Sequence, residues 1–272
     1  MQLHIRHETT YRYEHPLKYS IQSLRLTPRR DPGQRPLAWR IQAPGRQLEQ
    51  VDAYGNITHL LTLEEPHREL SIVVQGIVDT GDSGTPQMPD EGPLSPFAYL
   101  APTRLTRTDK PLREFAGQHL AGGAPLRERL VRLNEALCEV IRYRRGSTDV
   151  SDDAATVFAR GEGVCQDQAH AFIACCRAGN IPARYVSGYF HAGDIGEVAS
   201  HAWADAWLGE DEGWLSLDIT HRSSAGARHC RLAVGRDYLD SAPIRGVRHG
   251  GGQERMQVAV SVATSAAQAQ QQ

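Results

Sequence analysis

The 272-residue sequence predicts an α+β fold, in which a β-rich N-terminal region precedes a core of helices packed on an antiparallel sheet. Polar and apolar residues alternate in short runs through residues 1–80, as is typical of β-strands. Apolar residues then recur every three or four positions between residues 108 and 178, which indicates helices. After Pro182 the period returns to two, so a second set of strands follows the helices.

These changes divide the chain into four segments. We predict a β-rich domain at residues 1–80, a linker at 81–104, a second domain at 105–264 and a disordered tail at 265–272. The linker region is rich in Gly, Pro, Ser and Asp, and the tail is low in complexity.

The first domain is predicted to be an antiparallel β-sandwich. Leu3, Ile5, Tyr11 and Tyr13 share one face of the first run, and a turn signal at residues 53–56 separates later β-prone runs. Several short strands with polar turns and no helical period are typical of a sandwich.

Two helices of the second domain are marked clearly. Pro125–Tyr143 is amphipathic, with four leucines and one isoleucine on one side. The helix that begins at Cys165 is apolar on nearly all faces, so we expect it to be buried. Gly179 is expected to end this helix in the left-handed conformation, and Pro182 stops any continuation.

The start of the buried helix is the first candidate for chemistry. Gly161 and Gly163 precede Cys165, which implies close backbone approach and an accessible thiol. Unpaired N–H groups and the helix dipole favour an anion at this position, so the sequence predicts a nucleophilic thiolate. Cys175 and Cys176 lie in the apolar part of the helix, and we interpret them as packing residues.

A thiol nucleophile needs a base and a group that fixes the tautomer of that base. Ser200–Leu208 and Trp214–Ile219 are predicted to be adjacent antiparallel strands, and they carry His201 and Asp218. Facing Cβ atoms on such strands lie about 4.5–5.5 Å apart, so an imidazole and a carboxylate can meet there. His201 and Asp218 share a face only if the two residue numbers of each facing pair add up to an odd number. We predict such a register.

Two other residues compete for these roles. Asp205 lies on the same strand face as His201 and is the alternative to Asp218. His170 lies within the buried helix, and a packed core histidine is a better interpretation of it than a catalytic base.

Composition narrows the class of protein. A net charge of −2 predicts neither a nucleic acid nor a membrane as partner. The five cysteines form no CxxC pair and no cluster with zinc-ligand spacing, so we expect reduced thiols, no cofactor and no metal. The N-terminus lacks the apolar core of a signal peptide, and we expect a cytoplasmic protein. The oligomeric state stays open.

The sequence resembles the transglutaminase-like superfamily over most of its length and most strongly from residue 161 to residue 246, in particular the bacterial members with a β-rich N-terminal region. The matching motifs are Gly163-Val-Cys165-Gln-Asp167, Ala169-His170, Gly179–Gly188, Ser200-His-Ala-Trp203, Gly213-Trp214 with Asp218, Ala233–Tyr238 and Pro243–Gly246.

The resemblance implies a papain/transglutaminase-like core at residues 105–264, which would be the catalytic domain. It also implies that Cys165, His201 and Asp218 form a catalytic Cys-His-Asp site. The sequence departs from the family at Asp218-Ile-Thr, where Asp-Pro-Thr is usual. No calcium loop is recognisable, so the calcium dependence of animal transglutaminases is not carried over.

Three functions are compatible with this resemblance, and we favour the first. It is a thiol-dependent hydrolase that cleaves a peptide, isopeptide or other amide bond of a peptide or protein through a Cys165 thioester. The second is a protein-glutamine acyl transferase (a transglutaminase), in which an amine takes the acyl group. The third is a non-catalytic protein-binding module, which the intact Cys165, His201 and Asp218 disfavour.

The helix start predicts that Cys165 is the most reactive of the five cysteines. We expect iodoacetamide to alkylate it near neutral pH much faster than the other four, because the thiolate is the reacting species. Mass spectrometry of peptides from briefly labelled, folded protein measures this. Equal labelling of all five cysteines would contradict the prediction.

Overall fold

The computed structural model describes residues 1–81, 87–89, 92–193 and 200–264. The predicted tail at residues 265–272 lies outside this part of the chain. The strands are β1 (Gln2–Leu24), β2 (Arg35–Gln42), β3 (Arg46–Val51), β4 (Ile57–Leu63), β5 (His67–Asp79), β6 (Gln87–Met88), β7 (Arg142–Tyr143), β8 (Glu162–Gly163), β9 (Ala183–Phe190), β10 (Ser200–Trp207), β11 (Trp214–Asp218), β12 (Ser223–Ser224), β13 (His229–Gly235), β14 (Ile244–Gly250) and β15 (Glu254–Thr264). The helices are α1 (Lys110–Leu120), α2 (Leu126–Val140), α3 (Ala154–Arg160), α4 (Cys165–Ala178) and α5 (Tyr238–Ser241), and Pro96–Leu100 forms a 3₁₀ turn.

The first sheet is antiparallel and is built around the long strand β1. The first half of β1 pairs with β5 on one side and β15 on the other, and its second half pairs with β4 and β14. Strands β2 and β3 complete the sheet outside β5 and β4. The α+β class and the antiparallel N-terminal strands are therefore confirmed, and the predicted sandwich takes the form of one curled sheet.

The end of the chain returns to this first sheet. Strands β14 and β15 both pair with β1, with Ile21 facing Val247 and Ile5 facing Val262. The predicted second domain, residues 105–264, includes both of these strands, and their pairing partner in the first sheet was not predicted. Strand pairing depends on segments that are far apart in the sequence. The local alternation of polar and apolar residues predicts a strand but does not identify the strand that pairs with it.

The second sheet has the order β12–β11–β10–β9–β13, with β6 added beside β11. Helix α4 packs on β10 through the alanines of that strand, Ala202, Ala204 and Ala206, and α1, α2 and α3 surround α4. Part of the predicted linker belongs to this assembly, since Met88 faces Trp214 and Tyr99 is buried. None of the helices in the described residues combines the length and apolarity needed to cross a membrane.

The pairing of β10 with β11 confirms the predicted odd register. The numbers of each facing pair, such as Ala204 and Leu217, total 421. His201 and Asp218 therefore lie on one face as diagonal neighbours.

The end of α4 differs from the expectation in one residue. Gly179 has φ −87°, and the left-handed residue is Asn180, with φ 57°. A Cβ at Gly179 would lie 2.8 Å from Leu120 Cδ1, so a larger residue there would require the Leu120 side chain to shift.

Two side-chain amides, of the buried Asn56 and the half-buried Gln34, join the N-terminal region to β13. Asn56 Nδ2 donates to the Val234 carbonyl at 2.8 Å, and Asn56 Oδ1 accepts from the Val234 N–H at 2.8 Å. Gln34 makes the same pair of bonds with the backbone of Arg231, at 2.8 and 2.7 Å. The first sheet thus satisfies backbone groups of β13 that no further strand pairs with here.

Replacement of Asn56 by Ala should lower the free energy of unfolding by about 2–4 kcal/mol, because two buried backbone groups would lose their partners at roughly 1–3 kcal/mol each. Urea unfolding measures the change. Asn134→Ala is the matched control, since Asn134 is also buried but its Oδ1 has no partner. Equal losses in the two variants would contradict the role given to Asn56.

Candidate active site

The turn before α4 places Cys165 at the first helical position. Val164 precedes the helix in an extended conformation, and its N–H donates to Asp167 Oδ2 at 2.8 Å. Thr148 Oγ1 donates to the same oxygen at 2.6 Å. A Cβ at Gly163 would lie 2.8 Å from Asp167 Cβ, so only glycine lets the chain pass this closely. Cys165 is half-buried, as an accessible thiol requires.

The other cysteines differ from Cys165 in their surroundings. Cys175, Cys176 and Cys230 are fully buried, and burial raises the pKa of each of these thiols. Cys138 is half-buried, and its thiol donates to the Thr220 carbonyl at 3.8 Å. All five are free thiols.

His201 and Asp218 meet as the register requires. His201 Nε2 lies 2.8 Å from Asp218 Oδ2, and both residues are buried. A carboxylate only accepts hydrogen bonds, so Nε2 carries the proton and Nδ1 is left for Cys165. Burial disfavours the imidazolium, but hydrogen bonds to Asp218 and Cys165 and the charges of these two groups raise the pKa of His201 to about 10. The arrangement favours the imidazolium form of His201.

Helix α4 and the turn after β11 are fixed to each other by Gln168. Its Nε2 donates to the Ile141 carbonyl at 2.8 Å, and its Oε1 accepts from Thr220 Oγ1 at 2.7 Å. Thr220 follows Asp218 by two residues, so this buried amide holds helix α4 at a set distance from the Asp218 carboxylate.

Asp205, the alternative to Asp218, has other partners. It accepts from Arg184 Nε at 2.9 Å, from Arg231 Nη1 at 2.6 Å and from Ser216 Oγ at 2.6 Å. Although burial opposes the charge, the two guanidinium groups and these hydrogen bonds lower the pKa of Asp205 to about 2. Asp205 is therefore a buried structural carboxylate, and Asp218 is the one that contacts His201.

His170 is a core histidine, as interpreted from the sequence. It is buried, its Nε2 accepts the Tyr238 N–H at 3.1 Å, and burial lowers its pKa to about 3. The tryptophans Trp203 and Trp214 are also buried.

Two further histidines bind Asp218, and the sequence motifs do not mark either. His221 Nδ1 lies 2.7 Å from Asp218 Oδ2, and His229 Nε2 lies 2.9 Å from the same oxygen. Phe190 packs on this group, with its ring centre 4.0 Å from that of His221. Hydrogen bonds from the histidines outweigh burial and lower the pKa of Asp218 well below its usual range.

The potential metal-ligand atoms of His201, Asp218 and His221 lie within 4.8 Å of one another, a spacing that is compatible with a bound metal ion. However, the carboxylate oxygen itself occupies the centre of the group, and the nitrogens donate to it. The geometry is that of a hydrogen-bonded cluster.

Several known proteins are similar to this chain in sequence or in fold. Residues 3–79 match the bacterial transglutaminase-like N-terminal region, and residues 113–219 match the transglutaminase-like superfamily. An uncharacterized protein of Mycobacterium tuberculosis (strain ATCC 25618 / H37Rv) is 35% identical over 89% of this chain and 86% of its own length. One from Mycobacterium leprae (strain TN) is 30% identical over 94% of this chain and 96% of its own length.

Two further similarities concern proteins with a described activity or structure. A protein-glutamine gamma-glutamyltransferase of Pseudomonas aeruginosa is 33% identical over 109 residues, which are 35% of this chain and 16% of that protein. The crystal structure of a candidate cysteine protease from Cytophaga hutchinsonii superposes with a TM-score of 0.78 at 23% identity, over 97% of this chain and 90% of that one. The likeness to that structure shows the fold. The matches over both regions and the full-length relatives show that this chain belongs to the transglutaminase-like superfamily and carries its bacterial N-terminal region.

Proposed function

We propose that the protein is a thiol-dependent hydrolase that cleaves an amide bond in a peptide or protein. The observation that carries the proposal is the placement of His201, which is bound through Nε2 to Asp218 and interacts with the Cys165 thiol. Membership of the transglutaminase-like superfamily, whose fold is that of papain-like thiol enzymes, supports the same class of reaction.

In the first half of the reaction, the Cys165 thiolate would attack the carbonyl carbon of the amide. The C–N bond breaks, and the His201 imidazolium gives its Nδ1 proton to the departing amine, so a thioester and a free amine result. The Cys165 N–H lies at the start of α4, where it can donate to the oxyanion.

In the second half, neutral His201 would take a proton from water as the water oxygen attacks the thioester. A carboxylic acid leaves, and the thiolate–imidazolium pair is restored. Asp218 holds the imidazole in one orientation and stabilises its charge in both halves.

An amine in place of water would make the protein an acyl transferase, and this is the second candidate. The observation that favours it is the match to the gamma-glutamyltransferase of Pseudomonas aeruginosa, which covers 35% of this chain. The same thioester serves both reactions, so the acceptor decides between them.

Product analysis tests the proposal and separates the two candidates. The protein is incubated with glutamine-containing and isopeptide-linked peptides, with and without the primary amine cadaverine. We expect free amine or ammonia, a transient acyl adduct on Cys165 in the intact mass, and acid products even when cadaverine is present. Cys165→Ala should abolish all three signals with a nearly unchanged melting temperature. Cadaverine conjugates as the main product would favour the transferase, and full activity of the Cys165→Ala variant would contradict both.

Asp218→Asn should lower kcat by up to about 10⁴-fold, the loss known for an orienting aspartate in a serine-protease triad. It should also move the alkaline limb of the pH profile of kcat/KM to lower pH. His201 can protonate the amine only below its own pKa, and the substitution removes the charge and hydrogen bond that raise this pKa to about 10.

Asp205→Asn is the matched control for this measurement, since it removes a buried carboxylate on the same face that does not contact His201. It should lower the melting temperature but leave the alkaline limb in place. If both variants move the limb equally, Asp218 does not have the assigned role.

A further inference from the structure

A third strand of the second sheet contributes an imidazole to the site. His229 is the first residue of β13, and its side chain is only 6% exposed. Its Nε2 lies 2.9 Å from Asp218 Oδ2, the same oxygen that binds His201. The contact joins β13 to the end of β11, although these two strands are not neighbours in the sheet.

The hydrogen bonds fix the protonation state of His229. Because the Asp218 carboxylate only accepts, Nε2 must carry a proton. On the other side of the ring, Nδ1 accepts the backbone N–H of Gly226 at 3.2 Å and therefore carries none. His229 is held as a neutral imidazole in a single tautomer.

The surroundings agree with a neutral ring. Phe190 and Trp203 pack against it, with ring centres at 4.8 and 5.1 Å, and the titratable groups that face it are Asp218, His201 and His221. Burial outweighs the attraction of Asp218 and lowers the pKa of His229.

His201 and His229 thus bind one carboxylate oxygen in different ways. His201 also interacts with Cys165, and because its Nε2 is bound to Asp218, its second nitrogen is left for the thiol and can gain or lose a proton during a reaction. The second nitrogen of His229 is occupied by the backbone and cannot. One histidine is suited to carry charge, and the other is suited to hold the carboxylate still.

Asp218 needs such support because of its position. It is the last residue of β11, and the chain turns away directly after it. Besides His201, the carboxylate is bound by His221, but the side chain of His221 is 37% exposed. Without the buried His229, the carboxylate could rotate more easily about its side-chain bonds and lose the hydrogen bond that orients the imidazole of His201.

We propose that His229 is a positioning residue. As a permanently neutral hydrogen-bond donor, it fixes the orientation of the Asp218 carboxylate and thereby sustains the charged form of His201. The inference deepens the proposed function and rests on it for its consequence in catalysis.

Two variants of similar size test the proposal. The amide of His229→Gln extends as far as Nε2 and can still donate to Asp218, whereas the amide of His229→Asn ends near the position of Nδ1 and cannot. His7→Asn is the matched control, since His7 is a buried histidine of the first sheet that is bound to the hydroxyls of Thr9 and of Tyr189 in β9.

Long-range ¹H–¹⁵N spectra of the histidine rings, recorded across pH on the intact protein, read the site without any substrate. We expect His229 to be neutral, with the proton on Nε2, at neutral pH and above. His229→Asn should lower the titration midpoint of His201 by about half a pH unit or more, while His229→Gln and His7→Asn leave it unchanged. With an active substrate, His229→Asn should lower kcat about five-fold or more at constant KM, and His229→Gln should restore it to within about two-fold.

An imidazolium at His229 near neutral pH in the wild-type protein would overturn the proposal, whether or not a variant folds. So would an unchanged His201 midpoint in a folded His229→Asn variant, or equal midpoint shifts in the Asn and Gln variants. Absence of amide cleavage by the wild-type protein would count against the proposed function alone, because the ring titrations report the positioning independently.

Discussion

The hydrogen bonds that converge on the Asp218 carboxylate are the constraint on which the geometry of the site depends. A buried carboxylate is stable only when it is paired and hydrogen-bonded. The second sheet buries two such groups on one face, and it satisfies them differently. Asp205 is held by Arg184 and Arg231, whose protons do not leave at any ordinary pH. Asp218 is held by three imidazoles, of which His201 can gain and lose a proton. The first arrangement serves stability, and the second permits chemistry.

The N-terminal sheet takes part in this constraint through β13. The amides of Gln34 and Asn56 bind the backbone of Arg231 and Val234, and β13 begins at His229. The far end of the chain, β14 and β15, then pairs with β1 and ties both termini of the described chain to the same sheet. The N-terminal region contains no residue of the predicted triad, but it holds in place the strand that carries His229, a hydrogen-bond donor to Asp218.

Local patterns were sufficient for the parts of the site that depend on one or two neighbouring elements. A glycine turn and an apolar helix located Cys165, and strand parity placed His201 and Asp218 on one face. Contacts between distant segments were beyond such patterns. His229 carries no spacing relation to Asp218, and its only signal was its place at the start of a β-prone run. The return of β14 and β15 to β1 was missed for the same reason.

The diagonal register explains why His201 uses Nε2 toward Asp218. Directly opposed residues would place their Cβ atoms about 4.5–5.5 Å apart, whereas diagonal neighbours are about 7–8 Å apart. The longer separation suits the distal nitrogen of an imidazole, and Nε2 accordingly lies 2.8 Å from Oδ2. The proximal Nδ1, which lies nearer the backbone of β10, then remains for the thiol at the start of α4. A one-residue slip of β11 would turn Asp218 to the opposite face, so the strand register decides whether the imidazole has a partner at all.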